Sequence, residues 1–377
     1  MRRALVVALL VVPVLAGAQE PERFLVYKVE RIAPGQAPSI DGRLDEAVWG
    51  DRQALSSMRN FLGPLTGELA TQPSEFVLLS DGPKLYLGIT FFDEDMDAIL
   101  FNPSRPAYWN DCTELYFDPA HDGTRSIQLS IDCGGQRYWH RHFNDGYGWI
   151  NDTAWFMMAD WRCAVARGKD GWTVEVAIGA RSFGIDTAPG SVCGFNPCRF
   201  RLGAADQEFS AWGFAGGKRQ KNMAAWGHLV FLAEGEQAGG EVTSTDVALV
   251  YPDLTGRVVR VPVADGFAVF TGDGEATAGF GELLREQAGA LQARLDEATA
   301  ALEALPPDEP RAGKLREALD PARQEAVSLL GQARADDLTL GAFDRLGDAM
   351  TRTEAELREI AGRARIVELA LAAKEGR

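Results

Sequence analysis

The C-terminal part of the sequence lacks the three rarest residue types of the chain. All nine Trp, all five Cys and all four His occur at or before His228, and none occurs in the 149 residues that follow. The tail therefore carries no catalytic constellation built from these residues. At 377 residues the chain is long enough for two domains, and this asymmetry predicts that two physically different polypeptides are joined.

Positive charge is also scarce. Lys and Arg number 38 against 54 Asp and Glu, which gives a formal net charge of −16. Nonspecific binding to nucleic acid or to anionic lipid requires a clustered basic surface, and the sequence contains none. The balance of 46% hydrophobic and 24% charged residues excludes a wholly disordered chain.

Long apolar runs are missing as well. Residues 1–18 combine a basic Arg2-Arg3 start, an apolar run from Ala4 to Leu15 and the small residues Ala16-Gly17-Ala18. This is the pattern of a secretory signal peptide cleaved near Ala18, and the run is shorter than the roughly 20 residues that a membrane anchor needs. We expect a soluble protein exported to the periplasm or the extracellular space.

Enzyme fingerprints are absent from the sequence. It contains no G-x-S-x-G, H-E-x-x-H, Walker or dinucleotide-binding motif. The residues after the strand-rich part are too few for a (β/α)₈ catalytic barrel, which takes about 250 residues. We predict that the protein is not an enzyme and that any hydrolase partner is a separate chain.

Five cysteines cannot all pair within one chain. Cys112 precedes one strand-like run and Cys133 ends the next, with the turn-rich segment 119–123 between them. A β-hairpin centred there places Cys112 and Cys133 almost opposite, so a disulfide between them is the first prediction for an oxidising compartment. Cys163, Cys193 and Cys198 compete for a second bridge.

Residues 20–235 are rich in short strand-like runs separated by Gly, Pro, Asn and Asp. This spacing is typical of an antiparallel β-sandwich of immunoglobulin or jelly-roll type rather than of βαβ units. The runs are 76–79, 85–92, 114–117, 127–131, 137–143, 161–166, 172–178, 198–202 and 228–232.

Six blocks of this region resemble family 9 carbohydrate-binding modules over residues 37–233. They are Ile40–Trp49, Leu85–Ile89 with Asp93, Asp111–Asp118, Trp172–Ile178, Gly194–Asn196 and Trp226–Leu229, and they occur in the family's order. The resemblance implies a β-sandwich that binds polysaccharides or oligosaccharides at chain ends, with calcium as a structural ion.

The hairpin carries a candidate sugar site. Since side chains alternate along a strand, Leu115 and Phe117 point inward while Glu114 and Tyr116 point outward. Gln128 and Ser130 point outward from the partner strand. We therefore predict an exposed polar patch of Glu114, Gln128 and Ser130, with Tyr116 beside it and Trp109 at its edge, as the floor for a pyranose ring.

The family pattern supports Glu114 as a ligand contact, and supports Trp109 with a shift of one residue. Two departures weaken the site: Gln128 and Ser130 replace the family's Arg and Asn, and Gln220 stands where a second clamp aromatic is expected. Trp139 or Trp149 could supply that ring from the neighbouring loop.

Two motifs point to metals. Asp93, Asp95 and Asp97 form the densest carboxylate cluster and are candidate calcium ligands, with a solvated acidic turn as the alternative. His140 and His142 share one face of a strand and could bind noncovalent haem with Met157 or Met158. Exposed, hydrogen-bonded histidines are the simpler interpretation.

The spacing of apolar residues changes after residue 235. Residues 236–275 are expected to be a linker with short strands at 247–251, 258–263 and 267–270, and residues 276–377 a helical domain. Apolar residues at steps of three and four give three seams, with Asp320-Pro321 interrupting the second and Thr339 capping the third helix. This predicts a helical hairpin or three-helix bundle, with an intermolecular coiled coil as the alternative.

The sequence thus predicts an exported, noncatalytic carbohydrate-binding protein with a helical spacer or docking element. One alternative is a haem-binding electron carrier. The other is an envelope interaction or structural protein whose sugar site has degenerated and whose helices mediate self-association or bind a protein partner.

Overall fold

The computed structural model describes most of the chain. The described residues are 22–33, 35–50, 53–54, 58–60, 69–144, 149–151, 155, 158–205, 207–213, 221–238, 242–255, 257–335 and 338–374. The predicted signal peptide at 1–18 and Gln220 lie outside them. No helix in this part of the chain is long and apolar enough to cross a membrane.

Eighteen strands are described, and fourteen of them form one large sheet in the order β10-β9-β8-β7-β13-β15-β2-β5-β6-β12-β11, with β14 paired to β13, β4 to β14 and β3 to β5. The strands are β1 Glu22–Arg23, β2 Val26–Arg31, β3 Gln53–Ala54, β4 Arg59–Asn60, β5 Ser74–Ser80, β6 Lys84–Phe92, β7 Cys112–Asp118, β8 Arg125–Asp132, β9 Arg137–Asn144, β10 Trp149–Asn151, β11 Trp161–Arg167, β12 Gly171–Gly179, β13 Val192–Arg201, β14 Glu208–Ala211, β15 Gly227–Glu234, β16 Val258–Val263, β17 Gly266–Thr271 and β18 Gly274–Gly279.

The large sheet curls into a sandwich around one apolar core. Alternate side chains of β5, β6 and β12 pack against those of β7, β8 and β13, and Phe76 of β5 lies 5.9 Å from Phe195 of β13 between ring centroids. The predicted β-sandwich is confirmed. Its pairing is mixed rather than purely antiparallel, because β2 runs parallel to both β15 and β5.

A smaller sheet of β1, β16, β17 and β18 follows the sandwich, with β1 parallel to β16. Two of the three strands predicted for this region are present. The third prediction, a strand at 247–251, is wrong: Ser244–Val250 is a helix, α2. Thr243 and Asp246 form a reciprocal capping box at its start, and Val247 and Val250 are buried one turn apart.

Three long helices form the C-terminal bundle: α3 Phe280–Glu303, α4 Pro310–Gln332 and α5 Leu340–Lys374; a one-turn helix, α1, lies earlier at Ala180–Phe183. The bundle's core consists mainly of apolar residues at steps of three and four along all three helices, among them Leu291, Leu319 and Leu357. Thr339 caps α5 by accepting a hydrogen bond from the Ala342 N–H, as predicted. Pro321 lies inside a continuous α4 and does not restart it.

Aromatic contacts join the three parts of the chain. Tyr251, just after α2, places its hydroxyl 3.2 Å from Nε2 of His228 in the sandwich. At the other end of the small sheet, Phe267 packs edge-on against Phe280 of α3 and Phe343 of α5. The helical bundle is thus seated on the small sheet, and the small sheet on the sandwich.

The predicted Cys112–Cys133 disulfide is wrong: all five cysteines are free thiols. Cys112 pairs in register with Asp132, so Cys133 is one residue beyond it and points to the opposite face of the sheet. Cys133 belongs to the sandwich core. Burial raises the pKa of Cys133 to about 12 and that of Cys112 well above its ordinary value, so both are unreactive thiols.

Candidate functional site

The outer face of β7 and β8 carries a hydrogen-bonded network centred on Glu114. Oε1 of Glu114 accepts hydrogen bonds from Nε2 of Gln128 at 2.7 Å and from the Ser130 hydroxyl at 3.1 Å, and Oε2 accepts one from the Tyr116 hydroxyl. The structure therefore brings together the four outward residues singled out from the sequence. We call them the Glu114 network.

The network differs from the expected patch in its exposure. Glu114 is 4% and Gln128 6% exposed, and Tyr116 and Ser130 are fully buried. Three donors occupy the two carboxylate oxygens, which satisfies a charge that burial would otherwise make costly. The network is a rigid buried layer of the outer face rather than an open floor.

His142 extends the network onto β9. Its Nε2 lies 2.9 Å from Oε1 of Gln128. Because the Gln128 amide nitrogen already donates to Glu114, Oε1 is the acceptor and His142 Nε2 carries the proton. This histidine fixes which way the amide points, a role that the sequence pattern did not reveal.

Trp109 lies beside the network and is open to solvent. It ends a short 3₁₀ helix, Ala107–Trp109, which packs over β7, β8 and β9. Its side chain is 57% exposed, the largest exposed fraction of any described aromatic residue. Tyr108, 37% exposed, adjoins it with ring centroids 6.2 Å apart. The position of Trp109 at the edge of the sugar site stays a prediction.

Further rings continue from Tyr108 along β9. Tyr138 pairs with Ser130 and His140 with Gln128 in the sheet register, so both lie on the outer face. Tyr138 contacts Tyr108 at 5.0 Å and His140 at 4.4 Å between ring centroids, and His140 stacks on His142 at 5.8 Å. Burial, helped by the charge of Lys221, lowers the pKa of His140 below its ordinary value.

Lys221 and Trp226 both adjoin Tyr116 of the network. Nζ of Lys221 lies 6.0 Å from the ring centroid of Tyr116, and Trp226 packs on the same ring at 5.6 Å. Trp226 is buried and belongs to a small apolar cluster of this face. A cation and a buried indole thus both adjoin the Tyr116 ring of the Glu114 network.

Trp139 does not face this site. It alternates with His140 on β9, so it points to the inner side of the sheet, where it packs edge-on against Trp161 at 5.4 Å. Arg137 contacts both indoles. Trp149 is a residue of β10, at the sheet edge beyond β9.

The opening block of the resemblance wraps around a buried carboxylate that sequence reasoning missed. Glu175 of β12 accepts hydrogen bonds from the backbone N–H groups of Asp41 and Gly42 and from the indole N–H of Trp49. Burial raises the pKa of Glu175 despite these bonds. Gly42 has φ of 93°, and a Cβ there would collide with the Val165 backbone, so the motif's glycine is sterically required.

Asp93, a predicted calcium ligand, is committed to two arginines. Its Oδ2 lies 2.9 Å from both Arg199 and Arg201. Burial alone would raise the pKa of Asp93, but hydrogen bonds from Arg201 and the Asp95 N–H, with both guanidinium charges, bring it below its ordinary value. The Asp93 carboxylate does not fit a calcium ion without losing these ion pairs.

No three His, Cys, Asp or Glu side chains within the described ranges come together as a metal site. Calcium binding at Asp95 and Asp97 stays a prediction. For haem, His142 is hydrogen-bonded to Gln128, and its ring is stacked beside that of His140 on one face of the sheet, where the two cannot ligate an iron from opposite sides. Met158 is exposed, and Met157 is outside the described residues.

Solved structures of a carbohydrate-binding module are similar to part of this chain. A family 9 carbohydrate-binding module from Caldicellulosiruptor kristjanssonii in complex with glucose is 14% identical, with a TM-score of 0.41, and the match covers 57% of this chain and 100% of the module. The same module with cellotriose, also 14% identical with a TM-score of 0.41, matches 58% of this chain and 99% of the module. No curated protein matches the chain.

The sequence profile described as "Carbohydrate family 9 binding domain-like" matches residues 40–233. The match spans just over half of the 377 residues and includes every strand of the outer face that carries the Glu114 network. The chain belongs to the carbohydrate family 9 binding domain-like family.

Proposed function

We propose that this protein is an exported, noncatalytic carbohydrate-binding protein whose sandwich holds a sugar against Trp109, beside the Glu114 network. The observation that carries the proposal is an indole left 57% exposed on a short helix that contacts the strands of the Glu114 network, in a chain of this family. An exposed indole on a rigid short helix is costly to leave in water and offers a flat face for the C–H side of a pyranose.

The Glu114 network supports this role because hydrogen bonds hold its polar side chains in fixed orientations next to the proposed sugar site. Tyr116, Gln128 and Ser130 lock the carboxylate, and His142 locks the Gln128 amide. A site whose polar groups are already oriented loses little entropy on binding, which favours affinity. The ammonium of Lys221, 6.0 Å from the Tyr116 ring centroid, would donate hydrogen bonds to sugar hydroxyls.

We infer that the binding is noncatalytic because Glu114 accepts hydrogen bonds from a phenol, an amide and a hydroxyl, those of Tyr116, Gln128 and Ser130. A glycosidase needs a second carboxylate about 5 to 10 Å away to act as nucleophile or base. Export rests on the signal-peptide pattern of residues 1–18.

A glycan array probed with the full mature chain tests the proposal, followed by calorimetry on the sugars retained. We expect Trp109→Ala to weaken binding at least about tenfold, equal to about 1.4 kcal/mol. Glu114→Gln should also weaken it, since it removes the charge that holds three donors.

The matched control is Phe101→Ala, since Phe101 is 36% exposed but is not part of the outer face described above. It should bind as the unmodified protein does. Absence of binding to every glycan on the array would overturn the proposed function. Binding that survives both Trp109→Ala and Glu114→Gln would overturn the site.

A further inference from the structure

We propose that the sugar taken by this site is a uronic acid unit, whose carboxylate pairs with the ammonium of Lys221. The inference rests on the proposed function and deepens it, because it names the chemical class of the ligand as a sugar that carries a negative charge. A uronate at the end of a glycan keeps the C–H face that Trp109 would hold, so the two contacts are compatible.

The ammonium of Lys221 lies over the outer face that carries the Glu114 network. Its Nζ is 6.0 Å from the centroid of the Tyr116 ring. Burial and then the charge of Lys221 lower the pKa of His140, and the same charge opposes the rise that burial and Glu114 cause in the pKa of Cys198. His140 belongs to β9 and Cys198 to β13, the strands that flank the β7–β8 pair. The charge of Lys221 therefore acts across the network.

Lys221 has no anionic partner in the part of the chain that the structure describes. The residue is half-buried, and within the described ranges it forms no ion pair and no hydrogen bond. Its contact there is with an aromatic ring, and a cation–π attraction is weaker than a charge-assisted hydrogen bond to a carboxylate. A partly desolvated ammonium of this kind gains more from an anionic ligand than from a neutral hydroxyl.

The buried acids of the same face leave this ammonium available. Glu114 and Asp132 belong to the β7–β8 pair, and each accepts hydrogen bonds on both of its oxygens. The net charge of −16 repels an anionic ligand at a distance, but salt screens exposed charges beyond about 10 Å. The charge preference at contact is therefore set by Lys221.

The sequence that leads into Lys221 is basic in an otherwise acidic chain. Lys218-Arg219-Gln220-Lys221 contains three basic residues in four positions, too few for a nucleic-acid surface. Gln220 stands where the family pattern has a second clamp aromatic. An aromatic ring holds any pyranose, whereas a cation selects a sugar acid. Residues 218–220 lie outside the described residues, so the site is assigned to Lys221 alone.

Calorimetry on the full mature chain with glucose, glucuronate and glucuronamide tests the inference. The three probes share one ring and differ at C6, which is a hydroxymethyl group, a carboxylate or a neutral amide. We expect glucuronate to bind at least about tenfold more tightly than the other two at low salt. This preference should shrink as the salt concentration rises, because the contact joins two charges. On the glycan array, the retained glycans should carry a uronate.

Lys221→Met keeps the length of the side chain and removes its charge. It should weaken glucuronate at least about tenfold and change glucose by less than about twofold, while Lys221→Arg should retain the preference for glucuronate. The matched control is Lys169→Met, since Lys169 is exposed in the turn between β11 and β12, at the end of the large sheet opposite β9. This control should bind all three probes as the unmodified protein does.

The outcomes separate the two proposals. Equal affinity for glucuronate and glucose, a preference that survives Lys221→Met, or retention of neutral glycans alone on the array overturns the uronate inference and leaves the proposed function standing. Absence of binding to every glycan removes the proposed function and the uronate inference with it. The comparison of the three probes uses the unmodified protein, so it decides the question even if Lys221→Met does not fold.

Discussion

The sandwich and the helical bundle differ in the kinds of side chain that they bury. The sandwich buries charged side chains, among them Glu114, Glu175, Asp93 and Arg199, and gives each of them hydrogen-bond partners from other strands or loops. The core of the bundle consists of Leu and Ala with a few other aliphatic side chains. Its described buried polar residues are Asp344 and Thr353.

This difference teaches where binding chemistry can arise. Buried polar groups with fixed hydrogen-bond partners have fixed orientations, and a face that holds such groups can recognise a ligand. An aliphatic seam sets the distance between helices but has no hydrogen-bonding groups to orient a ligand. The rare residues follow the same division, because indole, imidazole and thiol groups have no place in a slender Leu and Ala seam.

The division also provides separate probes. All nine Trp lie between Trp49 and Trp226, so intrinsic fluorescence reports on the sandwich alone. The three long helices lie in the bundle, so the far-ultraviolet circular dichroism of helix reports mainly on it. Each prediction below uses both signals.

The largest expected effect comes from removing the carboxylate that pairs with two arginines of the sandwich. Asp93→Ala takes this ion-pair partner away from Arg199, which is 1% exposed, and from Arg201. Breaking a buried ion pair from one side costs about 3 to 5 kcal/mol, so the fluorescence-detected denaturation midpoint should fall sharply.

The control for Asp93→Ala is Glu297→Ala. Glu297 pairs with Arg294 and Arg365 on the solvent side of the bundle, where those arginines are more than a third exposed. An ion pair of this kind contributes less than about 1 kcal/mol. Equal losses in the two variants would contradict the idea that buried charge distinguishes the sandwich.

The next largest effect on stability tests the apolar packing that holds the bundle together. Leu357 of α5 is fully buried in the apolar seam. Leu357→Ala should cost about 2 to 5 kcal/mol through lost burial and a residual cavity. The loss should appear in the helical dichroism signal.

Leu369→Ala, at a leucine of the same helix that is 69% exposed, is the matched control and should change stability little. If Leu357→Ala lowers the fluorescence midpoint as much as the dichroism midpoint, the two regions unfold as one unit and the contrast between them is structural only.

The sequence predicted best what depends on local periodicity. The three helical seams follow from steps of three and four, the Thr339 cap from its hydroxyl before an apolar run, and the β7–β8 hairpin from alternation around a turn. The convergence of Glu114, Gln128 and Ser130 also follows from alternation, because residues opposite each other on paired strands share a face.

Features that depend on contacts between residues far apart in the sequence were not predicted. Alternation assigns a face but not what covers it, so the Glu114 network was expected to be exposed and is buried. The partners of Asp93 lie 106 and 108 residues away, and Gly42 meets Glu175 across 133 residues. At Cys133 the pattern was read one residue out of register, which moved the thiol to the wrong face.

The smallest effect is a dependence on pH that the sandwich should show and the bundle should not. Burial, with the neighbouring His121, lowers the pKa of His228 to about 3, from an ordinary value of 6.5. His228 lies between His121, 2.8 Å away, and Tyr251. It is neutral when folded, and the unfolded chain takes up its proton below about pH 6.5.

The sign follows from this difference. The contribution of His228 to stability is complete above pH 6.5 and is lost as the pH falls toward 3, at up to about 1.4 kcal/mol per pH unit. Between pH 7 and pH 5 the unmodified protein should lose about 2 kcal/mol more than His228→Gln, measured by tryptophan fluorescence in denaturant. Asp118, whose pKa burial raises, acts in the opposite direction in both proteins and cancels in the comparison.

The bundle contains no histidine, so its dichroism-detected transition should have the same pH dependence in the unmodified protein and in His228→Gln. A difference in that transition would show that the contact between His228 and Tyr251 transmits the protonation to the helices.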